Sequence, residues 1–184
     1  MGRMREELDC GVDLPGHAWA VVPLLEDSDW RVRYWAVETL GKLEPAALAQ
    51  HGAALVARLE ESDWRVSVAA SQTLGKLEPA ALAQHGAAVA ARLEDSHGGV
   101  RQTAVQTLCK LEPAALAQHG AALVARLEDS DRLVRKAAVE ALGKLDVAAL
   151  ALHEQAIAKA AEEDTHFLVR GAAAEVLAKL RAGQ

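Results

Sequence analysis

The nine residues LEDSDWRVR, Leu25–Arg33, return in edited form at Leu59, Leu93 and Leu127, always 34 residues on, and in worn form at Glu162–Arg170. A fixed period of roughly 20 to 50 residues, with each copy set between two apolar-striped segments, means one small unit repeated in tandem. Here the unit reads helix, acidic turn, helix. No unit of that size buries its apolar side alone, so neighbours must stack. The chain's 184 residues therefore hold about five stacked units rather than one or two ordinary domains. Residues 1–13 match no copy and are read as an N-terminal tail or cap, leaving 14–184 as the repeat array. Alanine and leucine supply most of the 51% apolar content, while aromatics make up only 3%. That composition suits helices in close contact and poorly suits a sheet, so the fold class is all-α.

Each first helix opens on Pro45, Pro79 or Pro113, a residue welcome at the first helical position, where its missing N–H costs nothing. Leu48, Gly52, Leu55 and Leu59 then fall on one stripe. Gly52, Gly86 and Gly120 each cost a helix about 1 kcal/mol relative to alanine. Because the stripe runs through the glycine in register, the spacing predicts one weakened but continuous helix. In the turn, Ser28 and Asp29 are suitable caps for the second helix, and the acidic charge complements its N-terminal dipole. Val32, Ala36, Leu40 and Leu43 form the buried stripe of that helix. Lys42, with Lys76, Lys110, Lys144 and Lys179 in register, places a cation at its C-terminal end. The next Glu-Pro stops it. Helices are expected over 14–25, 30–43, 45–59, 64–77, 79–93, 98–111, 113–127, 132–145, 147–162 and 167–181. The fifth unit has Val147 for proline, Leu152 for glutamine and Glu154 for glycine, as a terminal cap departs from interior copies.

An acidic residue six positions before an arginine that follows a valine recurs as Asp27 with Val32-Arg33, Asp95 with Val100-Arg101, Asp129 with Val134-Arg135 and Asp164 with Val169-Arg170. With this pattern the stretch from Leu14 to about Leu180 resembles the HEAT-repeat superfamily, in the short form of the HEAT-like repeats of phycobilin lyases. The resemblance implies a right-handed α-solenoid, an Asp–Arg ladder tying neighbouring units, second helices lining a concave face, and scaffold or adaptor roles. The second unit has Glu61 and Ser67 instead, so its rung should be broken or rewired. His-Glu occurs only at His153-Glu154, so the paired motifs of the related di-iron hydroxylases are absent.

Charge and spacing weigh against most site chemistries. His17, His51, His85, His119 and His153 share one register, but stacked helices stand about 10 Å apart, whereas zinc ligands lie about 2 Å from their metal. The series is therefore expected to be structural, and neither a metal nor a cofactor is expected. The acidic turns lack the spaced carboxylates of a calcium loop. Cys10 and Cys109 are too far apart to bridge, and free thiols fit a reducing compartment. With no signal-like or membrane-length apolar run, a cytoplasmic protein is expected, and a nuclear one equally fits. A net charge of −6 disfavours nucleic acid and anionic membranes. The second-helix segments are basic, but after ladder arginines and helix-end lysines only Arg31, Arg65, Arg132 and Lys136 remain to meet phosphate.

Aromatic residues carry the clearest positional signal. Trp19, Trp30, Tyr34, Trp35 and Trp64 fall in the first two units, and the later counterparts of Trp35 are Ala69, Thr103, Ala137 and Ala172. Tryptophan, tyrosine and arginine dominate interface energetics. We therefore expect a non-enzymatic scaffold that docks a protein or peptide on the concave second-helix face through Trp30, Arg31, Tyr34, Trp35, Glu38, Trp64 and Arg65. Packing between turns, or sealing of the first layer by Trp35, is the structural alternative. A chromophore lyase or chaperone subunit is the functional one, and a recently amplified or engineered array with no dedicated ligand is a third.

Overall fold

A computed structural model describes the backbone of residues 14–183 and the side chains of residues 18–183. Every regular element among them is helical. The expected tail at 1–13, Cys10 and the His17 side chain lie outside the described residues. The chain divides into two compact units, Met1–Leu77 and Glu78–Gln184.

In the first unit α1 (Leu14–Val21) runs into a 3-10 turn and is followed by α2 (Trp30–Leu40), α3 (Pro45–Leu48), α4 (Gly52–Ala57) and α5 (Trp64–Leu74). The second unit contains α6 (Pro79–Ala83), α7 (Gly86–Ala91), α8 (Gly98–Leu108), α9 (Pro113–Ala117), α10 (Gly120–Ala125), α11 (Arg132–Leu142), α12 (Val147–Ala151), α13 (Glu154–Glu163) and α14 (Phe167–Ala182). Within each unit the second helices pack on one another, α2 on α5, then α8 on α11 and α11 on α14. Leu40, Leu48, Leu55, Leu59 and Leu74 in the first unit are fully buried, as are Leu82, Leu93, Leu108, Leu116, Leu123, Leu142 and Ile157 in the second. Each such side chain contributes about 1.5–3 kcal/mol.

The second helices start where their caps allow. Asp29, not Ser28, accepts the Arg31 N–H at 2.9 Å, and Asp63 and Asp131 repeat the bond to Arg65 and Leu133. In α8 and α14 an imidazole replaces the carboxylate, His97 Nδ1 accepting from Gly99 at 3.1 Å and His166 Nδ1 from Leu168 at 3.3 Å. The first four second helices end three residues sooner than expected, at Leu40, Leu74, Leu108 and Leu142. There the chain tightens into i→i+3 bonds such as Lys42 N–H to the Thr39 carbonyl at 3.1 Å.

The expected continuous first helix is corrected: it breaks at every His-Gly step. His51, His85, His119 and His153 stand at φ −107°, −109°, −104° and −115° with ψ near zero, and the following residue, a glycine in the first three and Glu154 in the last, opens a new helix. Stacking supplies a reason the helical stripe could not reveal. A Cβ on Gly86 would lie 3.0 Å from Nε2 of His119, and one on Gly120 only 2.6 Å from Nε2 of His153. The imidazole of one repeat occupies the space that the glycine of the preceding repeat leaves open.

Candidate interaction surface

The ladder that the family resemblance implied is present, and it carries more than one bond per rung. Arg101 Nε and Nη2 grip both oxygens of Asp129 at 2.7 Å, while its Nη1 donates to the Asp95 carbonyl of its own turn at 2.9 Å. Arg135 does the same with Asp164 and the Asp129 carbonyl. Arg170 bonds the Asp164 carbonyl at 2.6 Å. In the first unit Arg33 pairs with Glu61 at 2.9 Å and with the Asp27 carbonyl at 2.7 Å. The longer Glu61 keeps that rung and also takes Arg58 at 3.0 Å. Ser67, standing where arginine is expected, is rewired inward, its hydroxyl donating to the Leu59 carbonyl at 2.8 Å.

These pairs set the local electrostatics. Desolvation, the largest influence on Asp129 and Asp164, pushes their carboxyls upward. Hydrogen bonds from Arg101 and Arg135, backbone N–H groups and the arginine charges together outweigh it and hold both below the ordinary aspartate value.

Two recurring residue types do work that the sequence reading missed. Arg58 and Arg126 reach back to the turn carbonyls of Leu25 and Leu93, at 2.6 and 2.7 Å. Lys76 and Lys144 donate to the Gly41 and Cys109 carbonyls at 2.8 and 3.0 Å, 35 residues earlier. These lysines cap the helix of the preceding repeat, not their own. The strict recurrence of Arg58, Arg92 and Arg126 was the available signal.

The aromatic residues divide between two faces. Trp30 and Trp64 open α2 and α5, and the Arg65 guanidinium lies 3.7 Å from the Trp30 ring centroid while its nitrogens bond both carboxylate oxygens of Asp63 at 2.9 and 2.7 Å. Arg31 stands 5.1 Å over the same ring and 3.5 Å from Asp29. Arg31 and Arg65 are thus engaged, and Lys136 pairs with Glu140. The expectation that these three cations were left to meet phosphate is corrected, because each has an acid two or four residues away. Tyr34 and Glu38 lie one turn apart on α2, with burial, then the Glu38 charge, raising the phenol's pKa. Trp64 is 44% exposed.

Trp35 is 53% exposed but looks elsewhere. Its counterparts Ala69, Thr103 and Ala137 are buried. Thr73, one turn after Ala69, lies against Gly41 of the preceding repeat, where a Cβ would be 3.0 Å from its Oγ1. Trp35 therefore occupies the backward-facing side of α2, the side that in α5 abuts the preceding helix. Trp19 is exposed on α1. In the second unit Leu133, Phe167 and Leu168 are also exposed. Leu133 lines an open groove of about 620 Å³ with Arg132, Thr165 and His166. The sequence reading overlooked it because these residues are not aromatic clusters.

Among the described residues no group of three or more His, Cys, Asp or Glu is placed to hold a metal ion, and no helix is long and apolar enough to cross a membrane. Burial lowers the His119 pKa. Burial also pushes the Cys109 thiol up to about 11, with Lys144 opposing and Glu140 reinforcing it, which leaves little thiolate for nucleophilic chemistry.

No curated protein matches the sequence. Among solved structures, an engineered protein is similar over 91% of this chain and 81% of its own, with a TM-score of 0.71 and 21% identity. A designed armadillo repeat protein in complex with the peptide (KR)4 is similar over 85% and 80%, with a TM-score of 0.67 and 21% identity. The complex of CpcE and CpcF of phycocyanin lyase from Nostoc sp. PCC7120 is similar over 88% and 98%, with a TM-score of 0.63 and 14% identity. At such identities the likeness establishes the all-α repeat fold alone. The family model of HEAT repeats matches twice, over residues 20–108 and 86–178. With the ladder, the stacked second helices and that match together, the chain belongs to the HEAT-repeat family.

Proposed function

We propose that the chain is a non-enzymatic interaction scaffold that docks a protein or peptide on the outward side of α2 and α5. The observation that carries this reading is the half-exposed indole of Trp64 beside Trp30, Arg31 and Arg65, all fixed at helix starts by capped turns and by the Arg65 stack. Rigid aromatic and arginine side chains lose little entropy on binding. Tyr34 and Glu38 extend the surface along α2. The designed relative in complex with (KR)4 supports a peptide as one form of partner.

Capture of partners from an extract of the source cells by the wild-type chain tests the reading. Trp64→Ala, combined with Arg31→Ala, is expected to weaken the captured partner at least about tenfold, whereas Trp19→Ala leaves it unchanged. Retention within about twofold by the double variant would overturn the placement. The similarity to phycocyanin lyase supports a chromophore-handling role as the second reading. A shifted absorbance band on mixing the protein with a free tetrapyrrole would favour it over the scaffold.

A further inference from the structure

At the junction of α11 and α14 a cation has lost the partner that its counterpart in the first unit keeps. Counted by register, Arg132 stands where α2 has Trp30, His166 where the turn before α5 has Asp63, and Leu168 where α5 has Arg65. In the first unit those positions satisfy one another, because the Arg65 guanidinium lies 3.7 Å from the Trp30 ring centroid and bonds both oxygens of Asp63. In the second unit the arginine sits on the earlier helix of the pair, and an imidazole replaces the carboxylate. Among the described residues the exposed Arg132 makes no hydrogen bond or ion pair.

The groups around it are donors. Nδ1 of His166 accepts the Leu168 N–H at 3.3 Å, so in the neutral imidazole Nε2 carries the proton. The Thr165 hydroxyl accepts from Arg135 at 3.4 Å and keeps its own proton to give. Both residues line the open groove of about 620 Å³ together with Arg132 and Leu133, which is 44% exposed. Asp131 lines it too, but one of its oxygens takes the Leu133 N–H at 2.8 Å, and the other faces α8, 3.0 Å from where a Cβ on Gly98 would lie. Arg135 is saturated by Asp164 and by the carbonyls of its own turn. The groove therefore presents donors beside an apolar side chain, and Arg132 has no acid to answer it.

We propose that this groove docks a peptide segment in which a carboxylate side chain lies next to a bulky apolar one, the carboxylate on Arg132 and His166 and the apolar group on Leu133. A carboxylate matches the planar guanidinium with two parallel hydrogen bonds. A doubly charged phosphate fits less well, because Asp131 stands beside Arg132 and the Arg135 charge is already offset by Asp164. An open groove suits a stretch of chain passing along it, whereas a small molecule is held by being surrounded. The site lies wholly in the second unit and does not rest on the surface of α2 and α5.

Titration of the isotope-labelled full chain with the capped pentapeptide Gly-Leu-Asp-Leu-Gly, followed by NMR, tests this. Saturable shifts are expected at the amides of Leu133, Thr165 and His166 and at the Arg132 side chain. The same peptide with asparagine for aspartate should bind at least about fivefold more weakly, as should the aspartate peptide to Arg132→Gln or Leu133→Ala. Arg132→Lys, which keeps the charge without the fork, should fall between wild type and Arg132→Gln. Both positions are exposed, so these variants should melt as wild type does, which separates lost binding from lost folding. Trp64→Ala should leave the titration unchanged, so failure of the α2 and α5 surface and failure of this groove are read independently. No saturable shift up to about 5 mM peptide, shifts that spare the groove, equal binding of the aspartate and asparagine peptides, or tighter binding of a phosphoserine peptide would overturn the proposal.

Discussion

At the scale of single residues, the glycines separate into those that stacking requires and those it does not. Gly120 is closely faced by the imidazole of His153, whereas a Cβ on Gly171 would meet nothing within 4 Å. Gly120→Ala should therefore lower stability by about 1–3 kcal/mol through overpacking. Gly171→Ala, inside α14, should raise it by about 0.5–1 kcal/mol by removing helix-opposing backbone freedom. Urea unfolding of the two variants beside wild type reads both signs in one experiment. The same reasoning accounts for Cys109, which replaces the glycine of Gly41 and Gly143. Gly41 faces Thr73 and Gly143 faces Val176, while the register places the smaller Ala141 opposite Cys109.

At the scale of elements, second helices are joined by polar contacts as much as by leucines. Arg101 and Asp129 are 11% and 3% exposed, so removing one partner leaves a largely desolvated charge. Arg101→Gln should cost about 3 kcal/mol. Arg31→Ala, at an exposed pair, should stay within about 0.5 kcal/mol of wild type. Thermal or urea unfolding distinguishes the two, and equal effects would mean that the ladder is only decoration of an apolar stack. The caps offer a graded check. Asp29→Ala should lower stability by about 1 kcal/mol because the Arg31 N–H at the head of α2 loses its acceptor, while Ser28→Ala should leave it unchanged.

At the scale of the whole molecule, the same groups set how stability responds to acid. Burial lowers the His119 pKa, and the net effect of arginine and backbone partners lowers those of Asp129 and Asp164. In each case the unfolded chain binds the proton more readily, so stability falls as pH falls. The histidine contribution is complete above about pH 6.5 and is lost below it. The aspartate contributions are complete above about pH 4 and are lost as pH drops through their lower folded values. Urea midpoints at pH 7.5, 5.5 and 3.5 should therefore decline in two stages. His119→Gln should flatten the first stage, and Asp129→Asn should flatten part of the second while lowering stability at neutral pH.

Much of this was legible before any coordinates. The 34-residue period, the proline starts, the acidic turn and the valine-arginine spacing identified stacked helical pairs and named the ladder residues, because those signals are local or repeat strictly along the chain. What escaped was set by the neighbouring repeat. A glycine in helical register cannot show that an imidazole 33 residues later will lie on it, nor a lysine at a helix end that its acceptor is the preceding helix. The side of α2 that carries Trp35 was likewise set by the neighbouring repeat, since in α5 Thr73, one turn after the counterpart Ala69, lies against Gly41. The sequence by itself determined the unit, its count and its all-α character, since periodicity and capping act within a few turns. Only the tertiary structure decided where each helix breaks, which cations are engaged and which aromatic residues look outward, because those outcomes depend on distances between side chains a full repeat apart.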